Sequence, residues 1–176
     1  MKQTFALITA LMIAIILLSI TATAQEHATE SHDTHAARYH TGIFIGAASS
    51  MQEKTSNFAL GIDLERRIRR HFGIGLMAES VFAEHIESLI AVPLFFHAGS
   101  LKCWLAPGIE FAKEIDEAKT AETGKETLEM KEVFLIRAGL GYDIHLGKFS
   151  ISPAVNLDFA GEKTSLVYGV GLGMAF

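Results

Sequence analysis

Residues 163–176 read KTSLVYGVGLGMAF, and the two faces of this stretch differ in bulk more than in polarity. Successive side chains of a β-strand point to opposite sides. Tyr168, Val170, Leu172, Met174 and Phe176 therefore share one face, while Val167, Gly169, Gly171, Gly173 and Ala175 share the other. A soluble sheet normally sets an apolar inner face against a polar outer one. Here large apolar groups lie opposite nearly bare positions, which suits a strand with lipid outside and a crowded, narrow interior. The pattern predicts the closing strand of a transmembrane β-barrel.

The same alternation runs back to Tyr39, punctuated by turn signals. It predicts strands over about 39–48, 56–67, 71–82, 88–98, 100–112, 128–145 and 148–160 ahead of the last one. The strand at 88–98 is the least regular, because both its faces are apolar and Pro93 interrupts its ladder. Roughly 9–11 residues cross a bilayer, so residues 39–176 accommodate eight crossings and their connections. The expected fold is all-β, an eight-stranded antiparallel up-and-down transmembrane barrel. The competing reading is a soluble periplasmic barrel holding an apolar ligand, which would turn the greasy faces inward.

The sequence before residue 39 sets the compartment. Residues 1–24 carry Lys2, a largely apolar run from Phe5 to Ile20 and the A-x-A triplet Ala22-Thr23-Ala24, the pattern of a cleaved secretory signal peptide. Residues 25–38, QEHATESHDTHAAR, are polar and lack apolar periodicity, as expected of a mobile periplasmic tail. Without Lys2 the chain has 14 basic residues against 20 acidic ones, which argues against nucleic acid as a partner. A single cysteine, Cys103, excludes an internal disulfide and a cysteine-based zinc site.

The connections alternate in length as well as in side. Those near residues 69–70, 98–100 and 146–148 are short and share a side with the tail. Those at 51–55, 83–87, 113–127 and 161–162 lie on the other side and include the longest. Outer-membrane barrels have short periplasmic turns and longer external loops, so a periplasmic N-terminus and an external 113–127 loop follow.

By strand number, loop asymmetry and a terminal Phe preceded by apolar residues at every second position, residues 39–176 resemble the small eight-stranded outer-membrane barrels of OmpX and OmpA type. A His-rich leader, together with Phe72-Gly73-Ile74-Gly75 and then Phe82-Ala83-Glu84-His85, resembles secreted barrel proteins to which no activity attaches. The resemblance implies location in a Gram-negative outer membrane, surrounding lipid as a partner, and delivery by barrel-assembly machinery that reads the strand ending at Phe176. It also implies a monomer.

Eight ionisable residues fall on the predicted inward face: Asp63, Glu65, Glu79, Lys102, Glu110, Arg137, Asp143 and Asp158. Charges inside a narrow barrel must be paired, or their desolvation costs several kcal/mol each. Arg137, near mid-strand, is the expected hub for the surrounding carboxylates. The network would plug and stiffen the lumen, and a narrow proton or ion path is its functional alternative.

His40, His97 and His145 would face inward at the tail side, with Asp143 close by, and the tail adds His27, His32 and His35. Imidazoles with a carboxylate are ligands for Zn²⁺ or Cu²⁺, so a metal-binding barrel is one alternative, although the spacing matches no compact motif. Glu84, His85 and Ser88 could supply orienter, base and nucleophile for a lipid-modifying enzyme, but no oxyanion hole is legible beside them. Arg66, Arg67, Arg69 and Arg70 crowd the first tail-side turn, as a solvated turn or a contact for anionic lipid. The leading expectation is a non-enzymatic barrel with no cofactor, serving envelope structure or surface interaction.

Overall fold

A computed structural model of the chain describes residues 38–52, 55–84, 86–115 and 128–176. The expected signal peptide, the histidines of the expected tail and His85 lie outside the described residues.

Ten strand segments make one antiparallel sheet: β1 (Tyr39–Ser50), β2 (Ser56–Arg69), β3 (Phe72–Phe82), β4 (Ile86–Ala91), β5 (Leu94–Ala98), β6 (Leu101–Ile115), β7 (Leu128–Tyr142), β8 (Ile144–Leu146), β9 (Phe149–Ala160) and β10 (Lys163–Ala175). The sheet closes, because β10 pairs with β9 on one side and with β1 on the other. Met174 lies opposite both Thr41 and Phe149. The segments amount to eight crossings. β4 and β5 both lie between β3 and β6, and β7 and β8 both pair with β9.

The gap between β4 and β5 falls at Val92-Pro93, where a missing N–H interrupts the ladder. The neighbouring strands bridge it: the Gly75 amide donates to the Pro93 carbonyl at 3.0 Å, and the Val92 amide to the Pro107 carbonyl at 2.9 Å. Several boundaries differ from the sequence expectation: β1 runs on to Ser50, β2 to Arg69, and the strand expected over 128–145 breaks after Tyr142. β4 starts at Ile86, because Ile86 and Glu87 pair with Phe82 and Val81. The β6–β7 hairpin continues past residue 112, with Lys113 opposite Met130 and Ile115 opposite Leu128. Ladder hydrogen bonds use only backbone groups, so a polar stretch of sequence does not end them.

The distribution of side chains is inverted relative to a soluble protein. Ile43, Ile62, Leu76, Phe134 and Leu172 are each more than half exposed on the outer surface, whereas Glu65, Glu79, Lys102, Arg137, Asp143 and Asp158 are buried inside. The greasy faces point outward, which overturns the reading of a soluble barrel with an apolar ligand within. Aromatic rings ring the outer face at both ends. Tyr39, Phe72, Phe96, Phe149 and Phe176 lie near the short-turn end, and Phe58, Phe82, Phe134 and Phe159 near the long-loop end. Phe72 and Phe82 mark the two ends of β3. At about 3.3 Å per residue and a tilt near 40°, their separation corresponds to a band ~25 Å tall, the apolar height of an outer-membrane barrel.

The bare inward positions are slots for large lumen side chains. The Trp104 indole lies against Gly139 and Gly141, and the Phe44 ring against Gly46 and Gly169. A Cβ at Gly139 would collide with both the Trp104 ring and Asn156. Gly139→Val is therefore expected to prevent barrel closure or to destabilise it by several kcal/mol, since both the Trp104 ring and Asn156 would have to move. Urea titration and the heat-dependent gel mobility of folded barrels would report it; wild-type behaviour in both would refute this packing account.

Candidate functional site

The lumen is crossed at mid-height by one guanidinium. Arg137 on β7 donates from Nε and Nη2 to the two carboxylate oxygens of Asp158 on neighbouring β9, at 2.6 and 2.7 Å. The same group donates across the interior to Glu79 on β3, from Nη1 at 3.0 Å and Nη2 at 2.6 Å. Nη1 also approaches the Met77 sulfur at 3.4 Å. Both pairings are bidentate, the geometry in which the planar guanidinium fork binds carboxylates best. All three side chains are almost entirely buried.

The other lumen charges belong to separate groups and do not converge on Arg137. Toward the short-turn end, His97 Nε2 lies 2.6 Å from Glu65 Oε1, and both residues are buried. Arg67 Nη2 donates to His97 Nδ1 at 3.2 Å. An arginine cannot accept, so Nδ1 is the bare nitrogen and Nε2 carries the proton toward Glu65. Arg67, read from sequence as part of a solvated turn, thus completes a lumen cluster. In a third group, Asp143 accepts from Ser152 Oγ at 2.6 Å and faces Lys102 Nζ at 3.8 Å. That ammonium also sits 5.3 Å from the Phe95 ring and 5.7 Å from the Trp104 ring. Asp63, part-buried, faces His40 Nδ1 at 3.8 Å. Glu110, half-buried toward the long-loop end, lines a cavity of ≈ 70 Å³ with Glu87, Asp158 and Ser165, and makes no ion pair among the described residues.

The histidines divide as well. His97 is committed to Glu65 and Arg67. His40 Nε2 lies 3.1 Å from Ser150 Oγ, and the exposed His145 is opposite Ser150 in the β8–β9 ladder. Among the described residues, no three His, Cys, Asp or Glu side chains are grouped to hold a metal ion. His27, His32 and His35 lie outside the described residues. Ser88 shares a 2.9 Å hydrogen bond with Ser80, and no hydrogen bond or ion pair joins it to Glu84 among the described residues.

A cavity of ≈ 50 Å³ occupies the short-turn half of the lumen, bounded by His40, Asp63, Lys102, Trp104, Arg137 and Asn156. Four buried polar atoms without a hydrogen-bond partner among the described residues, His40 Nδ1, Asp63 Oδ2, Trp104 Nε1 and Asn156 Oδ1, belong to residues that line it. A water needs about 10–15 Å³ of such space, whereas organic-ligand pockets run to about 300–1,000 Å³. The chamber has the size and polarity for a few waters and is too small for an organic solute. Sequence alternation placed the charges inside. It missed Trp104, Ser152 and Asn156 as their polar neighbours, because contact across a lumen has no sequence period.

An apolar exterior between aromatic girdles, a closed antiparallel ladder and a charged interior define the fold of the small eight-stranded outer-membrane β-barrels. The N-terminal β-barrel domain of Pseudomonas aeruginosa OprF is similar over 81% of this chain and 100% of that chain, with a TM-score of 0.56 at 14% identity. Ail, the attachment invasion locus protein of Yersinia pestis, is similar over 78% of this chain and 96% of its own, with a TM-score of 0.50 at 14% identity. A de novo designed transmembrane β-barrel also matches, with a TM-score of 0.50 at 7% identity, over 77% of this chain and 95% of the design. No protein-family model and no curated relative matches the chain. At these identities the likeness is one of fold alone, and a designed protein among the neighbours illustrates that the architecture carries no particular task.

Arg137→Met would leave Glu79 and Asp158 buried without a cation, at an expected cost of about 3–5 kcal/mol. Adding Glu79→Gln and Asp158→Asn should recover most of that loss. Urea unfolding in detergent micelles measures both; a harmless Arg137→Met would show that the cluster contributes nothing to holding the barrel closed.

Proposed function

We propose that this chain is a non-enzymatic outer-membrane barrel whose task lies in envelope structure or in contacts made by its external loops. The observation that carries the reading is the Arg137–Glu79–Asp158 bridge, which ties three strands together at the centre of the lumen. A barrel of this size has an interior just wide enough for side chains. With a fully paired guanidinium across it, no continuous aqueous path runs from one mouth to the other. The protein then acts as a sealed, rigid plug in the membrane and works through its surfaces.

Lipid surrounds the apolar band, and the barrel is a monomer, because a closed ladder leaves no unpaired strand edge for a second copy. The assembly machinery would read β10 and Phe176 after it, which stacks on Tyr39 at 5.9 Å where β10 meets β1. The short-turn end faces the periplasm with the N-terminal tail, and the connection between β6 and β7, residues 116–127, faces the exterior. The asymmetry of the connections supports this orientation.

In planar bilayers the purified protein is expected to give no stepwise ionic current, and a steady open channel would defeat the sealed-lumen reading. Loss of the gene is expected to raise sensitivity to detergents or to reduce adhesion. A deletion strain unchanged in both would remove the proposed role. For orientation, in a Cys103→Ser background, Thr120→Cys should react with a membrane-impermeant maleimide on intact cells while Ser100→Cys should not; the opposite pattern would invert the topology.

A further inference from the structure

The outer surface of the β2–β3 hairpin carries two exposed arginines at the level of an aromatic girdle. The pairing register of β2 with β3 shifts between Arg67 and Arg69. Arg67 points inward to His97, so plain alternation would send Arg69 inward too. The bulge instead places Arg69 opposite Phe72, an outward residue, and so brings Arg66 and Arg69 to the same outer face. Bulges re-aim side chains in this way, and the extra residue here, Ile68, is 64% exposed. The Arg66 guanidinium lies 6.0 Å from the Tyr39 ring centroid. Phe72 packs edge-on against Phe96 at 5.3 Å on the other side of the hairpin.

The charges around this patch are one-sided. Asp63, Glu65 and Asp143, the described acidic side chains at the short-turn end, all lie in the lumen with partners or neighbours there. Arg66 and Arg69 have no ion-pair partner among the described residues. At the opposite end the exposed charges are mixed, with Glu84, Glu132 and Glu162 beside Lys131 and Lys163. The cations therefore face whatever lies outside the barrel at the level of the girdle, where membrane head groups meet acyl chains.

We infer that Arg66 and Arg69 form a binding site for the phosphodiester of an anionic phospholipid, with an acyl chain lying over Ile68 and Phe72. The inference rests on the proposed membrane reading and adds the lipid class that this end of the barrel selects. Arginine forks match phosphate oxygens, and their aliphatic stems can run along the apolar surface while the charge reaches the head group. A zwitterionic head group also carries an ammonium, and no acidic side chain among the described residues stands on this outer face to receive it. Each guanidinium near an anionic lipid surface is worth about a fivefold gain in partitioning.

The test is native mass spectrometry of the barrel released from bilayers of equal phosphatidylglycerol and phosphatidylcholine. Wild-type protein should retain phosphatidylglycerol preferentially, and Arg66→Gln/Arg69→Gln should lose roughly tenfold or more of that preference. Lys148→Gln, a rim cation on another turn, should leave it unchanged. Equal retention of the two lipids by wild-type barrel, or undiminished preference in the double variant, would overturn the site. Displacement of the lipid by soluble glycerophosphate would also overturn it, showing a phosphate pocket with no acyl-chain contribution. Heat-dependent gel mobility confirms that each variant is folded. A chain that never enters the bilayer would sink the membrane reading itself, whereas a folded barrel without lipid preference sinks only this inference.

Discussion

Closure of the hydrogen-bond ladder is the constraint on which every other feature depends. Within hydrocarbon each unpaired backbone N–H or C=O costs several kcal/mol, so a sheet there can have no edge. This chain removes its edge by pairing β10 with β1 from Ser50–Ser165 to His40–Ala175. Tyr39 and Phe176 then exchange two further backbone hydrogen bonds, at 3.0 and 2.9 Å, where the ends meet. Once the ladder is closed, alternation leaves each side chain two choices, lipid or lumen. Hydrophobicity cannot drive a core together when the solvent is itself apolar, so the interior is held by charge pairing and tight packing instead.

That interior is built from unequal partners. Eight strands leave too little room for bulky groups at every inward position, and the glycines of β7 and β10 make space for Trp104 and Phe44. The charged groups divide the remaining volume into a short-turn chamber and a long-loop cavity, with Arg137 at the boundary. Each charged cluster links strands distant in sequence: Arg137 joins β7 to β3 and β9, and His97 joins β5 to β2. These links brace the cylinder as struts would, because a shear of the sheet would have to break several short ionic hydrogen bonds together. The same bridges that brace the cylinder also carry the proposed sealing, so stiffness and the proposed function rest on one arrangement.

Much of the fold was legible because a period of two is a strong signal when every strand obeys it. Ile43, Ile62, Leu76 and Leu172 were placed on the greasy face by alternation alone, and they are outward. Pro93 marked its own interruption, since a residue without an N–H cannot serve a ladder. Alternation failed in two kinds of place. It could not foresee the bulge between Arg67 and Arg69, because one extra residue flips the face of everything beyond it. It also could not group the lumen charges. Sequence suggested a single hub at Arg137, with a histidine mouth as an alternative, yet Glu65, His97 and Arg67 form their own cluster and Asp143 pairs with Lys102 and Ser152.

The sequence by itself determined the class of object: strands inverted for lipid, their number, and the side that residues of the regular strands face. These follow from local rules, since the side of a pleated strand on which a residue falls depends only on its neighbours in the chain. Tertiary structure alone decided which carboxylate meets Arg137, which nitrogen of His97 carries the proton, and that Arg66 and Arg69 stand together on the outer face. Those outcomes depend on the stagger between strands around the closed cylinder, a geometric condition that no single strand contains.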